Sequence, residues 1–277
     1  MRTPHDRRAR RGIRPLLVLA ALTAATLSAT VVQTASAAST PPAASASGGH
    51  QAQAKKVCAA APSGYAACMA LVRTDVPGVK ADALAPGIVP AGYGPSDLRS
   101  AYNLSGAGDA GETIAIVDAY DDPNAESDLA AYRAQYGLPA CTTANGCFRK
   151  AAIGSPPPNA GWAGEISLDL DMVSAIAPNA HILLVEATSA SMADLGAAEN
   201  QAVALGAKFV SNSWGAQESS SNSSFDNAYF NHPGVAITVS SGDGDYITGT
   251  PYPAASPHGT AVRRTAPSAL VIADGFS

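Results

Sequence analysis

Four short apolar segments alternate with stretches of helical character, and this alternation constrains the fold more strongly than any other feature of the chain. The segments TIAIV, HILLV, KFVSN and VAITVS occupy residues 113–117, 181–185, 208–212 and 235–240. The predicted helices occupy residues 122–136, 162–176, 191–205 and 224–229. Because strands that alternate with helices form parallel sheets, we predict an α/β domain with a doubly wound, mainly parallel sheet and helices on both faces. Functional groups are then expected at the carboxyl ends of the strands.

The amino-terminal residues have the composition of a secretory signal peptide. Residues 2–14 carry six arginines against one acid, residues 15–32 are apolar or small, and Ala35-Ser36-Ala37 supplies small residues for cleavage. This pattern predicts export, with residues 1–37 removed. A retained membrane anchor is the competing interpretation, because the apolar run approaches spanning length. Residues 38–86 are predicted to be a linker and a short disulfide-stapled region that resembles a pro-segment.

The four cysteines fall into two local pairs, Cys58 with Cys68 and Cys141 with Cys147. In an exported protein, short-loop disulfides are the expected use of such pairs. A zinc site would need C-x-x-C pairs or interleaved histidines, and the sequence has neither. We therefore predict two disulfides, no metal site, and a secreted, extracellular protein.

The charge of the chain argues against two classes of partner. The formal net charge is −5, and much of the basic charge lies in the predicted signal peptide. After cleavage the chain is more acidic, which is unfavourable for binding nucleic acid or an anionic membrane surface. No second apolar run of comparable length follows residue 32, so no membrane association is expected after cleavage.

The predicted helix at residues 162–176 carries two acids on one partly apolar face. Glu165 and Asp169 are four residues apart, so their side chains are neighbours one helical turn apart. Two carboxylates held close in an apolar setting can share a proton, because the charge of one raises the pKa of the other. A solvated acidic face is the simpler interpretation of this spacing taken alone. Asp171 points elsewhere and is expected to be a surface or structural residue.

Two further motifs come directly after predicted strands. One is Ser240-Ser241-Gly242-Asp243-Gly244-Asp245, in which Asp243 lies between two glycines. The other is Ser211-Asn212-Ser213-Trp214-Gly215. Each motif alone is also compatible with an ordinary turn.

Taken in order along the chain, these motifs resemble the sedolisin family, the serine-carboxyl peptidases with a subtilisin-like fold. The matching stretches are IAIVDAYDDPNAESDL, GEISLDLDMVSAIAPNAHILLVEA, FVSNSWG, VAITVSSGDGD and YPAASPHGTAV. The resemblance implies that Glu165 is the general base, Asp169 the acid that supports it, and Asp243 the acid of the oxyanion hole. It also implies that Ser213-Trp214-Gly215 forms the strand edge along which a substrate backbone pairs.

The resemblance further implies a secreted serine-type endopeptidase that acts on polypeptides as a monomer. A serine hydroxyl needs a base to become a nucleophile, and a glutamate would serve here in place of histidine. Asp243 could donate a hydrogen bond to an oxyanion only while it is protonated, so activity is expected to be favoured at acid pH. Calcium is expected from the family, but the region that holds its site is absent from the sequence, and no other cofactor is visible.

The resemblance ends abruptly near Val262. The sequence contains no G-T-S-x-x-x-P motif, which carries the nucleophile in the family, and Val262-Arg263-Arg264-Thr265 stands where the family has a V-G-G-T turn. We therefore expect residues 87–262 to form a partial peptidase domain. Residues 263–277 are expected to be a divergent tail, arising from a frameshift, a premature stop or genuine divergence. No histidine offers a replacement site, and His181, in an apolar strand, is expected in the core.

Two alternatives to a peptidase remain open at the level of sequence. The first is an exported peptide-binding or remnant domain that keeps the groove near Ser213 without cleaving. The second is a carbohydrate hydrolase that uses paired acids. It is less suitable because Glu165 and Asp169, one turn apart on the same helix, would not flank a glycosidic bond from two sides.

Overall fold

The computed structural model of the protein describes residues 53–75, 92–242 and 249–263. Its strands are β1 (Ala54–Lys56), β2 (Ala67–Cys68), β3 (Leu71–Arg73), β4 (Thr113–Ala119), β5 (Phe148–Ala152), β6 (His181–Ala187), β7 (Phe209–Asn212), β8 (Trp214–Gly215), β9 (Ala236–Ser240) and β10 (Thr260–Val262). Its α-helices are α1 (Pro95–Ala101), α2 (Ala125–Gln135), α3 (Ala160–Ile176), α4 (Met192–Ala204) and α5 (Asn222–Phe225), the last followed by a π-helical turn at Asp226–Phe230. The predicted signal peptide and the predicted tail beyond residue 263 lie outside the described residues.

Six parallel strands form the central sheet, in the order β10-β9-β7-β4-β6-β5. Strand β4 pairs over its full length with β6, from Thr113 opposite His181 to Ala119 opposite Ala187. On its other side, residues 114–116 pair with residues 209–211 of β7. The carboxyl ends of these strands therefore meet at one edge of the sheet, where the candidate functional groups were expected.

The core has two layers, one on each face of the sheet. Side chains alternate between the two faces along a strand. Thus Ala115 and Val117 of β4 pack in a cluster with Leu195 and Ala198 of α4. Ile116, between them, packs in a second cluster with residues of α2 and α3. This arrangement confirms the predicted α/β domain with a mainly parallel sheet covered on both faces.

The four predicted strands are all present in the sheet, and two further strands lie at its edges. Strand β4 continues beyond Val117 to Ala119, so that Asp118 lies inside the strand rather than ending it. Edge strand β5 has the sequence FRKAA, with only Phe148 buried, and all three residues of edge strand β10 are exposed. Edge strands with exposed residues lack the continuous apolar run that identifies a buried strand, which explains why the sequence did not predict them.

The predicted helices are present with small shifts at their ends. Asn159 caps α3 by accepting hydrogen bonds from the backbone amides of Gly161 and Trp162, both at 3.1 Å. Helix α2 begins at Ala125, three residues later than the predicted start at residue 122. Asn124 occupies the cap position, and Asp122 Oδ1 instead accepts the amide of Asn124 at 2.9 Å in the preceding turn. Among the described residues, no helix is both long and apolar enough to cross a membrane.

The segment of residues 53–75, here called the stapled segment, packs against the main domain. Its strands β1 and β3 pair with each other, antiparallel, whereas β2 pairs antiparallel with β8. Cys58 and Cys68 form a disulfide within the segment, and Cys141 and Cys147 form a second one in the loop before β5. Both predicted disulfides are thus present in the structure.

His181 was expected in the core because its strand is apolar, and this prediction is wrong. It is the first residue of β6 and is exposed, whereas the next six residues of the strand are buried. A side chain at the amino end of a strand can reach solvent beyond the helices that cover the rest of the sheet.

Candidate active site

Helix α3 places Glu165 and Asp169 one turn apart and turns both toward the protein interior. Their side chains are 1% and 8% exposed, respectively. This burial excludes the solvated acidic face that the spacing alone allowed. Two carboxyl groups in such a setting must be satisfied by hydrogen bonds or carry a proton, because burying an unpaired charge is costly.

Asp169 is held by Ser213, the residue between β7 and β8. Ser213 Oγ donates a hydrogen bond to Asp169 Oδ1 at 2.8 Å. Burial raises the pKa of Asp169 to about 7, and the hydrogen bond from Ser213 opposes this rise. Asp169 is therefore protonated in acid solution and loses its proton near neutrality.

Replacing Ser213 with alanine is expected to raise the pKa of Asp169 above 7. The hydroxyl stabilises the ionised carboxylate, and its loss removes roughly 1 kcal/mol of that stabilisation. The measurement is an NMR titration of the Asp169 carboxyl carbon in both proteins. Ser223→Ala, at an exposed position of α5, is the matched control. A pKa of Asp169 that is unchanged or lower in Ser213→Ala would contradict this role for the hydroxyl.

Asp118 is a third carboxyl of the site, and no motif in the sequence pointed to it. It lies in the central strand β4 and is completely buried, and among the described residues neither of its carboxyl oxygens has a hydrogen-bond partner. Burial, followed by the negative charges of Asp169, Glu165 and Glu186, raises its pKa well above the ordinary value. The electrostatic influence of Asp169 and Glu165 places Asp118 in the same cluster. The one sequence feature that could have identified Asp118 is its position directly after the apolar run at residues 113–117.

Glu165 is bound by the stapled segment. Its Oε2 accepts hydrogen bonds from the backbone amides of Met69 and Ala70, each at 2.6 Å. Bonds from two amides favour the ionised form of a carboxylate. Met69 and Ala70 lie about a hundred positions before Glu165 in the chain. Local sequence patterns therefore could not predict these hydrogen bonds.

Ser213, Trp214 and Gly215 lie beside the acids, with Trp214 and Gly215 in strand β8, and their role as a strand edge for a substrate remains a prediction. Trp214 is fully buried, and its Nε1 donates to the carbonyl of Val117 at 2.8 Å, next to Asp118. Gly215 has no room for a side chain, because a Cβ there would lie 2.8 Å from Pro251 Cβ and 2.9 Å from Met69 Cε. The backbone of this edge is paired with β2 of the stapled segment.

Lys150 forms salt bridges with two acids near the site, Asp121 and Glu186. Lys150 Nζ lies 2.6 Å from Asp121 Oδ1 and 3.0 Å from Glu186 Oε1, and it also donates to the carbonyl of Asp122 at 2.7 Å. Burial nevertheless raises the pKa of Glu186 to about 7. Within the three described ranges of the chain, no group of three or more His, Cys, Asp or Glu side chains could hold a metal ion.

Of the other acids considered in the sequence, Asp243 is not described by the structure and Asp171 is buried. Asp243, predicted as the acid of the oxyanion hole, lies outside the described residues. Gly242, just before it, has a φ of 84°, a backbone conformation that favours glycine. Asp171 is buried rather than at the surface, and burial together with Asp128 raises its pKa well above the ordinary value. His232 Nε2 lies 2.9 Å from Asn200 Oδ1, a contact remote in sequence from the acids.

Comparison with protein-family models and with curated proteins finds no match for the chain. Among solved structures, it is similar to Pseudomonas sedolisin, a serine-carboxyl proteinase in complex with two molecules of pseudo-iodotyrostatin, with 25% sequence identity and a TM-score of 0.52. The similarity covers 63% of this chain and 54% of that one. The chain thus spans about half the length of the sedolisin structure that it matches.

Two more distant similarities are to other proteases. The prenylagaramide maturation protease PagA is 18% identical, with a TM-score of 0.39 over 62% of this chain and 58% of that one. Fervidolysin from Fervidobacterium pennivorans, a keratinolytic enzyme related to subtilisin, is 16% identical, with a TM-score of 0.37 over 61% of this chain and 25% of that one. The mostly parallel sheet with its covering helices, together with the similarity to Pseudomonas sedolisin, defines an α/β fold of the subtilisin-like kind.

Proposed function

We propose that this domain is of the serine-carboxyl peptidase type and serves peptide-bond hydrolysis in acid solution, with Glu165 as the general base. The observation that carries the proposal is the buried cluster of Glu165, Asp169 and Asp118 beside the strand edge at residues 213–215. Cleavage of an extended peptide uses both a general base and an edge that pairs with the peptide backbone. The similarity to Pseudomonas sedolisin supports the same assignment.

The proposed chemistry assigns one role to each acid. As a water molecule attacks the peptide carbonyl, its proton passes to Glu165, which then returns a proton to the leaving amine, so that the products are a carboxylic acid and a free amine. Because Asp169 is protonated in acid solution, it does not place a second negative charge beside Glu165. The G-T-S-x-x-x-P serine that the resemblance implies is not in the sequence, so the base, its supporting acids and the strand edge are the parts that this chain supplies.

Replacing Glu165 with glutamine is expected to lower hydrolysis of a denatured protein at about pH 4 by at least a hundredfold, because glutamine cannot accept the proton. The measurement is the release of new amino termini over time by the purified protein. Glu218→Gln, the same chemical change at an exposed position, is the control and should retain the wild-type rate. Cleavage that survives Glu165→Gln, or a rate that peaks above neutral pH, would contradict the assignment.

The second candidate function is peptide binding without cleavage. It is favoured by the pairing of β2 with the strand edge, since the edge already holds a peptide strand in the structure. Peptide binding by a protein that shows no hydrolysis between pH 3 and 8 would favour this function over the first.

We also propose that the protein is exported and acts on polypeptides outside the cell. Two disulfides support export, because such bonds persist in oxidising compartments. The basic and apolar sequence of residues 1–37 supports it independently. The expectations that the protein is a monomer and binds no nucleic acid remain predictions.

A further inference from the structure

We propose that Glu199, on the face of the sheet opposite the acids of the site, is a positioning residue for the strand edge at residues 213–215. As a neutral acid it pairs with the Asn212 side chain through two hydrogen bonds and so holds the chain that enters this edge. The inference rests on the proposed function only in taking the edge and Asp169 as parts of the site. It does not require that a peptide be cleaved.

Glu199 and Asn212 both lie in the layer between α4 and the sheet. Leu195 and Ala202, four residues before and three after Glu199, pack in the core cluster on this face, so Glu199 points the same way. Val210 of β7 belongs to the same cluster, and Asn212, two residues further along the strand, shares its face. Glu199 is completely buried and Asn212 is 1% exposed. The Asn212 side chain lowers the pKa of Glu199, so the two side chains are close enough to interact.

Three buried polar atoms at this position have no hydrogen-bond partner among the described residues. They are the two carboxyl oxygens of Glu199 and Oδ1 of Asn212. Asn212 Nδ2 donates to the carbonyl of Thr238 at 3.3 Å, which uses one of its two hydrogens. An ionised Glu199 cannot bond to Asn212 Oδ1, because all three oxygens are then acceptors. Leaving such atoms unpaired in the core would be costly.

One proton on Glu199 satisfies all three atoms. The protonated carboxyl oxygen donates to Asn212 Oδ1, and the second hydrogen of Asn212 Nδ2 donates to the other carboxyl oxygen. Burial favours this protonated form, because it raises the pKa of Glu199 to about 8. The pair of acid and amide is therefore complete in acid and neutral solution, and it is lost as the pH rises through about 8.

Burial and Asn212 set the proton affinity of Glu199, and no charged side chain among the described residues contributes to it. The π-helical turn, which packs against α4, carries Asp226 and Tyr229. Asp226 Oδ1 accepts the hydroxyl of Tyr252 at 3.0 Å, and the Tyr229 ring lies over Gly196. The residues of β4 and β6 that pack in the cluster with α4 are apolar: Ala115, Val117, Ala119, Leu183, Val185 and Ala187.

Asn212 connects this pair to the site on the other face of the sheet. It is the last residue of β7, and Ser213 follows it directly. Side chains alternate along an extended chain, so Asn212 and Trp214 point toward α4 while Ser213 points toward α3. There Ser213 Oγ donates to Asp169 Oδ1 at 2.8 Å. Holding the Asn212 side chain therefore fixes the backbone that presents Ser213 to Asp169.

The test measures the pKa of Asp169, by NMR titration of its carboxyl carbon, in the wild type and two variants. Glu199→Gln can still donate to and accept from Asn212, whereas Glu199→Met has a similar length and can do neither. We expect the pKa of Asp169 to remain about 7 in Glu199→Gln and to rise in Glu199→Met toward its value in Ser213→Ala. Equal pKa values of Asp169 in the two folded variants would overturn the proposal.

A second measurement covers the case in which Glu199→Met does not fold. The side-chain amide of Asn212 in the wild type, followed by NMR, should change its chemical shift with a midpoint near pH 8, where Glu199 loses its proton. It should not titrate in Glu199→Gln. The exposed amide of Asn145, which donates to the carbonyl of Ala140, is the internal control and should be constant around this pH. An Asn212 amide that does not respond in the wild type would overturn the pairing.

Hydrolysis measured in parallel separates this inference from the proposed function. A change in the pKa of Asp169 as expected, with no cleavage by any of the proteins, would support the positioning role of Glu199 and count against the peptidase. If hydrolysis occurs and depends on Glu165, kcat should fall by about tenfold in Glu199→Met and stay within about twofold of the wild type in Glu199→Gln. Equal kcat values in these two variants would overturn the positioning role alone.

Discussion

Replacing Glu199 with glutamine should raise the free energy of unfolding at pH 8 by about 4 kcal/mol and leave it nearly unchanged at pH 4. Glu199 lies in α4 and is fully buried, and among the described residues neither carboxyl oxygen has a hydrogen-bond partner. Burial raises its pKa from 4.5 to about 8, opposed in part by the Asn212 side chain. The folded protein thus keeps a proton that the unfolded chain releases.

The sign of the effect follows from this difference in proton binding. Below pH 4.5 both states hold the proton, and the group costs no stability. Between pH 4.5 and about 8 only the folded state holds it, so the free energy of unfolding falls as the pH rises. Glutamine is uncharged in both states and removes this dependence. Asp169 and Glu186, whose pKa values are raised to about 7, add to the slope in the wild type.

Urea unfolding of both proteins at several pH values between 4 and 8 provides the measurement. Glu218→Gln, at an exposed position, should follow the wild-type profile throughout. Parallel profiles for Glu199→Gln and the wild type would show that Glu199 is not buried in its protonated form.

Replacing Trp214 with alanine should destabilise the domain by about 4 kcal/mol, in the range found for aromatic residues removed from protein cores. The indole is fully buried in the cluster between the sheet and α4, and its Nε1 donates to the Val117 carbonyl at 2.8 Å. Trp214→Phe keeps most of the apolar contact but loses the hydrogen bond, and a smaller loss of about 1–3 kcal/mol is expected.

Thermal and urea unfolding at pH 5 would measure both changes. Tyr102→Ala removes an exposed aromatic ring (58% exposed) and should change stability by less than 1 kcal/mol. Equal losses for Trp214→Ala and Trp214→Phe would show that the hydrogen bond to Val117, rather than packing, dominates at this position.

The sheet was predictable from the sequence because its central strands are buried on both faces. Strands such as β6, HILLVEA, are continuous apolar runs, and the helices between them require parallel connections. The edge strands β5 and β10 were not predictable, since their exposed residues follow no apolar pattern. Burial of His181 was wrongly predicted for a related reason: an apolar neighbourhood in sequence does not say where a strand begins.

The candidate site was predictable only where it depends on helical spacing. Glu165 and Asp169 share a face because they are four residues apart, and this holds for any α-helix. Their burial, by contrast, depends on the stapled segment and on Ser213, which are distant in sequence. Asp118 was missed because no spacing rule connects a residue of β4 with a residue of α3. Contacts of this kind follow from the tertiary fold alone.

The hydrogen bonds between the stapled segment and Glu165 also bear on how the domain folds. Met69 and Glu165 are 96 residues apart, and strands β4 and β5 with helix α2 lie between them in the chain. Contacts that close such long loops form slowly, because the entropy of the intervening chain is lost before they are made. The segment therefore adds to the contact order of the domain, and its docking on β8 is expected among the last events of folding.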